Sequence, residues 1–332
     1  MTHAQRRSTL AALILSSAAL VLAGRAASSA RAASPAQEAR AGLAFGDAFW
    51  KQWGDGKAEL SGYDLTFPRY GELRKGMAVA VFVTETFSES LRVKSDPGRH
   101  PKSDEYPVLK LNLVQDFSTG IYDYNLLTST FVALTPVNGR PAGSVTKVSF
   151  SSQEWCGNMY GQLLLDAGSA RLASHSYFDG EADQIRTLPV PDDALSADAL
   201  LLWARGLAAP AVAPGGRIEA TLVKSLRTAR LTHQPVETLR ATLSRDGSTE
   251  KIAVPAGTID VQRCRVEIAG GATWTILVEA AEPHRIVRWE TSEGEKASLL
   301  GSGRLEYWKM HAEKDLSSLA VLGLKPRPPR TP

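Results

Sequence analysis

Leu109-Lys110-Leu111-Asn112-Leu113 carries leucine at every second position, with lysine and asparagine between. A period of two sends alternate side chains to opposite faces, so this stretch predicts a strand with one buried and one wetter face. Upstream, residues 77–83 form an unbroken apolar run with three valines, which fits a strand covered on both faces. Alternation returns at 121–130, 145–152, 160–165 and 171–178. It resumes at 217–232, 236–245, 258–268, 273–280, 285–291 and 297–308. Asn138-Gly139, Asp246-Gly247 and Gly270-Gly271 read as hairpin turns, because tight turns need positive φ. Asp179-Gly180 and Glu293-Gly294 mark further turns.

Helical periodicity is confined to three places. Residues 36–53 place Ala41, Ala44, Ala48 and Phe49 near one stripe, with Trp53 at the end. Residues 196–207 open on Ser196, a capping residue, and put Leu200, Trp203, Ala204 and Leu207 on one face. Residues 311–324 read as a closing helix. The expected fold class is therefore mainly β, a β-rich α+β arrangement. Its form is a large antiparallel curved sheet, or two packed β half-barrels, with a few helices. The Ala/Pro/Gly connection at 209–216 separates an N-terminal β-rich unit with a leading helix, 34–208, from a C-terminal antiparallel unit, 217–324. Residues 325–332, with four prolines, read as a disordered tail.

The first 33 residues have the three parts of an export signal. Arg6 and Arg7 are basic, residues 10–24 are apolar, and Ala30-Arg31-Ala32 is an A-x-A cleavage site. The apolar run is shorter than the roughly 20 residues of a membrane-spanning helix, and no later segment approaches that length. The arginine pair leaves both general secretion and twin-arginine export open. Leu22-Ala23-Gly24 is followed by Arg25 rather than cysteine, so the sequence offers no thiol to acylate and does not read as a lipoprotein. The expectation is an exported protein, periplasmic or secreted, with no transmembrane segment after signal cleavage. Of 38 basic residues, four lie in the leader, which has no acid, leaving 34 against 35 acidic residues. A near-neutral body gives no electrostatic footprint for nucleic acid.

Val254-Pro255-Ala256-Gly257-Thr258 precedes a strand with Trp274 and then Pro283-His284-Arg285-Ile286-Val287-Arg288-Trp289-Glu290-Thr291. This order resembles the C-terminal half of a Gram-negative envelope family of unknown function, with a V-P-A-G-T strand motif. It departs from that pattern at Ile259, where the family has an aromatic. The resemblance implies a curved antiparallel half-barrel, similar to periplasmic lipoprotein carriers, with a concave apolar face. Gly56-Lys57-Ala58-Glu59-Leu60, Arg69-Tyr70-Gly71-Glu72 and Gly120-Ile121-Tyr122-Asp123-Tyr124 open a second resemblance. It is to exported proteins of Bacteroidetes, some labelled septum formation inhibitor Maf. That label implies a cytoplasmic nucleotide pyrophosphatase of α/β fold, which an exported β-rich chain does not fit.

Chemistry-bearing residues are sparse. Cys156 follows Trp155, and His175 lies on a nearby strand, so a cysteine nucleophile with a histidine base is one candidate. His100, His233, His284 and His311 are the other possible bases. Met159 stands where a C-x-x-C redox motif needs its second cysteine. Cys156 and Cys264 also form a candidate disulfide, against the alternative of two free thiols. Tyr122, Asp123 and Tyr124, with Trp155, are the densest polar-aromatic group and the candidate ligand-binding residues. No histidine pair, H-E-x-x-H, Walker or G-x-S-x-G pattern occurs, so neither a metal nor a cofactor is expected. The reading favoured by sequence is a non-enzymatic periplasmic protein that binds or carries an apolar or amphipathic envelope component, such as a lipid. The alternatives are an assembly factor recognising another envelope protein and a Cys-dependent hydrolase.

Overall fold

A computed structural model describes residues 42–326; the leader, residues 34–41 and most of the proline-rich tail lie outside them. Sixteen strands join in one sheet. They are β1 (Ala58–Arg69), β2 (Glu72–Ser88), β3 (Val93–Lys94), β4 (Glu105–Thr119), β5 (Tyr122–Ala133), β6 (Val145–Glu154), β7 (Gly157–Asp166) and β8 (Ser169–Ser176). The remainder are β9 (Gln184–Pro189), β10 (Leu195–Ser196), β11 (Arg217–Val223), β12 (Thr238–Val254), β13 (Gly257–Ile268), β14 (Thr273–Glu279), β15 (Ile286–Thr291) and β16 (Lys296–Leu305).

Their order is β10-β11-β12-β13-β14-β15-β16-β1-β2-β4-β5-β6-β7-β8-β9, with β3 added to β2. β10 and β11 pair in parallel; β1 closes antiparallel on β16, joining the first and last described strands in one sheet. The sheet curves without closing, and its free edges, β9 and β10, are neighbours in sequence. The predicted mainly β class with one large curved antiparallel sheet is what the chain adopts.

Three short helices accompany it: α1 (Asp47–Trp53), α2 (Leu200–Ala204) and α3 (Leu226–Thr232). Every residue of α2 is buried, as expected of a helix apolar on all sides, and it sits in the concavity. As predicted, Ser196 caps this segment, its hydroxyl accepting from the Asp198 amide. Among the described residues, the leading helix is only Asp47–Trp53, and the closing one is a 3-10 segment, Glu313–Leu322.

Two expectations need correction. Residues 217–232 are not one strand: β11 stops at Val223 and α3 follows, because Ser225 caps a new helix by accepting from the Thr228 amide. Asp246-Gly247 is not a hairpin turn but a bulge inside β12, where the register breaks between Arg245 and Thr249. There the turn at Gly215 packs on the strand, and a Cβ on Gly247 would lie 3.4 Å from Gly215 Cα. Asn138-Gly139 does make a tight turn, with φ of 45° and 76° between bridged Val137 and Arg140.

The unbroken apolar run of β2 is explained by two covers. Ala78, Ala80 and Phe82 face the main core, while Val81 and Val83 join Leu322 and Leu324 of the C-terminal segment on the outside. That segment reaches the sheet because Gly62, Gly301 and Gly303 leave room. A Cβ on Gly62 would come within 2.3 Å of the Leu322 carbonyl oxygen.

Candidate functional site

α3 crosses the concavity with Leu226 and Ala229 buried in the core and two buried arginines, Arg227 and Arg230. The helix is anchored by Asp198, which accepts from Ser225 Oγ at 2.6 Å and from the Leu226 amide at 3.0 Å. A carboxylate at a helix start satisfies free N–H groups and meets the positive end of the dipole. Burial nevertheless dominates, and it pushes the Asp198 carboxyl above the usual carboxylate range.

Arg227 enters a buried network. Its guanidinium pairs with Glu295 at 2.9 Å and donates to Gln115 Oε1 at 2.7 Å. Glu295 also accepts from Trp289 Nε1 at 2.9 Å and Gln115 Nε2 at 3.0 Å. This network walls a cavity of about 270 Å3 between the inner helices and the sheet. Its apolar lining comes from Leu113, Leu200, Leu201, Leu239, Ile268 and Trp274. Its exposed lining is Thr228, Thr232, Gln234 and Glu237 on and after α3, facing Gly270, Gly271 and Glu293 on the turns β13–β14 and β15–β16. A second cavity of about 370 Å3 lies at the other end of the sheet, among Trp203, Arg205, Arg245 and His284, and is edged by charge.

Arg230 belongs to a second cluster. It lies 3.7 Å over the Phe178 ring and 3.5 Å from Glu154, with both charged side chains buried. Glu154 also accepts from the Cys156 amide at 2.6 Å. Close by, Arg69 donates to Tyr124 Oη at 3.1 Å and to the Leu231 carbonyl at 3.0 Å. Tyr70 and Tyr124 share a hydrogen bond of 2.6 Å, and Tyr122 stacks on Trp155 with ring centroids 6.2 Å apart.

The structure thus gathers four residues singled out from sequence, Tyr122, Tyr124, Trp155 and Cys156, at one end of the sheet. Asp123 is not among them: it points to the other face and accepts from Ser118 Oγ at 2.6 Å. His175 faces outward, with Nδ1 2.9 Å from the Asp183 carboxylate. The Cys156 thiol is exposed, and the Glu154 carboxylate pushes its pKa up, the reverse of nucleophile activation. Cys264 is buried, with Sγ 3.7 Å from the Ala204 carbonyl, and burial raises its pKa to about 11. Both cysteines are free thiols, so the disulfide weighed from sequence is not formed.

No family model matches the chain, and no curated protein matches it. A solved structure is similar: a beta-barrel-like protein of domain of unknown function DUF1849 from Brucella abortus. Identity is 10%, with 75% of this chain and 98% of that chain covered, at a TM-score of 0.44. The antiparallel ladders of this sheet are not the α/β fold that the Maf label implies.

Sequence reading missed Asp198, Arg227 and Glu295. The signal for Arg227 was local: Ser225 before Leu226 and Ala229 has the cap and spacing of a helix inside an otherwise β-like run, whereas Asp198 lies 27 residues from the helix it anchors. Glu295 follows a turn dipeptide, and nothing near it in sequence announces a buried partner.

Proposed function

We propose that this chain is an exported, periplasmic binding or carrier protein that holds one small amphipathic envelope component inside the curved sheet. The observation that carries the reading is the apolar cavity, closed on one side by the Arg227–Glu295 network and open beside Glu293. Ligand sites pair an apolar lining with a few placed polar groups, which this arrangement supplies. At about 270 Å3 it falls just under the span of roughly 300–1,000 Å3 usual for such pockets. It therefore suits a small amphiphile or part of one acyl chain rather than a whole diacyl lipid. A hydrolase built on Cys156 has less support, since the thiol lacks a histidine partner and its ionisation is opposed.

The test is binding of N-phenyl-1-naphthylamine, an apolar fluorophore, and its displacement by fatty acids. Saturable fluorescence that long-chain acids displace is expected, and Thr228→Trp, at an exposed position of the lining, should abolish it. Binding unaffected by that substitution would place the probe elsewhere and remove the cavity reading.

The free edge of β9 favours a second reading, recognition of another envelope protein by strand addition. Ile185 on that edge is 88% exposed. Co-purification with a protein, lost on Thr187→Pro, is its expected sign.

A further inference from the structure

Four hairpin turns at one end of the sheet present large apolar side chains to solvent. They carry Tyr70 with Leu73 near β1–β2, Ile121 at β4–β5, Trp155 at β6–β7 and Tyr177 at β8–β9, all 56–81% exposed. Register places these turns together, because Arg69 pairs with Glu72, Thr119 with Tyr122, Glu154 with Gly157 and Met159 with Ser176. Side chains tie them into one rim. Tyr70 bonds Tyr124, Trp155 stacks on Tyr122, and Tyr177 lies against Gly157, where a Cβ would sit 2.5 Å from its ring.

The rim continues to the cavity opening. A Cβ on Gly294 would lie 3.1 Å from Leu73, and the same turn contributes Glu293 to the cavity. At the opposite end, exposed large apolar side chains include Leu91 and Val93 in the hairpin connections and Trp308 and Met310 after β16, the last two 46% and 37% exposed. Turn tips ordinarily take Gly, Asn, Asp or Ser, so isoleucine, tryptophan and tyrosine there oppose local chemistry. Tyr70 in particular holds the left-handed conformation, φ 55°, which disfavours a bulky residue.

We propose that this rim docks on the interfacial layer of a lipid bilayer. Tyr70, Trp155 and Tyr177 would lie at headgroup level, with Ile121 and Leu73 reaching the acyl boundary. Tryptophan and tyrosine favour that layer because a ring buries while its polar atom stays wet. Three carboxylates beside the rim are answered within the protein, Glu72 by Arg74 at 2.8 Å, Asp123 by Ser118 and Glu181 by His233, while Glu293 is exposed at its margin. Among the described residues no cationic patch accompanies the rim, so attachment is driven by apolar burial and needs no anionic lipid. Continuity with the cavity opening selects a bilayer over a protein partner, since the docked orientation turns that opening toward lipid. The choice of a bilayer rests on the binding-protein reading, whereas attachment itself is measured with no ligand in the cavity.

The test is flotation of the mature protein with phosphatidylcholine vesicles, at low and high salt, with bromine-labelled acyl chains to report tryptophan depth. Co-flotation that persists at high salt is expected, together with tryptophan quenching. Ile121→Ser with Trp155→Ser should weaken partitioning by about tenfold or more, because two apolar side chains no longer bury. Leu91→Ser, at the far end, should leave it unchanged. Both positions of the double variant are exposed, and circular dichroism confirms that it folds. Three results overturn the proposal: no flotation, flotation equal in the double variant, or binding only to anionic vesicles that salt abolishes. Sedimentation as a dimer that the double variant dissociates would also overturn it, assigning the rim to a second copy. Failure of the fluorophore test leaves this result untouched, and the converse holds.

Discussion

Arg227 and Glu295 meet at 2.9 Å inside the curved sheet, although 68 residues separate them and neither side chain is more than a tenth exposed. Gln115 and Trp289 complete the hydrogen bonding of the pair. Two charges are tolerated there because each answers the other and Glu295 accepts two further hydrogen bonds.

Removing one member leaves a buried charge without its counterpart. Glu295→Gln keeps the shape but should cost about 3–5 kcal/mol of folding stability, read from urea unfolding. Arg227→Met combined with Glu295→Gln should cost less than the two single changes added together, since no unpaired charge remains. Additive losses would show that the two side chains act independently.

Asp198 predicts a pH dependence. Its carboxyl is raised in the folded chain, so the unfolded chain gives up its proton at lower pH. The resulting contribution is fully present below the ordinary aspartate pKa and is lost as pH rises through the folded value. Scanning calorimetry from mildly acidic to neutral pH should show a smaller decline, or a larger rise, in Tm for Asp198→Asn than for the wild type. Parallel curves would mean that Asp198 ionises alike in both states.

The C-terminal segment is held by glycines. A Cβ on Gly301 would approach the Val321 carbonyl oxygen to 2.6 Å and the Gly323 nitrogen to 2.9 Å. Gly301→Val should expel residues 313–322 from the outer face while the strands remain. Hydrogen exchange should show faster exchange at 313–322 and in the outer contacts of β1 and β16. Limited proteolysis should cut first within that segment.

The two thiols should react in separate phases. Cys156 is exposed and Cys264 buried, so a thiol-reactive disulfide reagent should label one equivalent in the native protein and a second only on unfolding. Labelling of Cys156 at neutral pH should be slower than for free cysteine, because Glu154 opposes thiolate formation. Faster labelling would reopen a catalytic role for Cys156.

Particular elements show what was readable in advance. The strand at Leu109, Leu111 and Leu113 announced itself through period two, and the doubly apolar β2 through its unbroken run. Both signals are local, set by which face each side chain meets. The helix α3 was hidden because Leu226 continues the even spacing of Ile218, Ala220 and Leu222, and only the Ser225 cap betrays it. The bulge at Asp246-Gly247 has hairpin composition, but a turn from another segment, at Gly215, occupies the space beside it. Tyr122, Tyr124, Trp155 and Cys156 were marked by residue type, whereas their common location depends on the register of β4 to β7.

The sequence by itself determined a β-rich chain, the approximate strands, the Ser196 cap and the residue types from which a site is drawn, because these depend on neighbours within a few positions. Only the tertiary structure decided that β1 closes on β16 and that α2 and α3 fill the concavity. It also set Arg227 against Glu295, and turned four apolar turns and one cavity opening to the same end. Those outcomes depend on pairings between residues tens to hundreds of positions apart. Their energy comes from mutual burial that no local window contains.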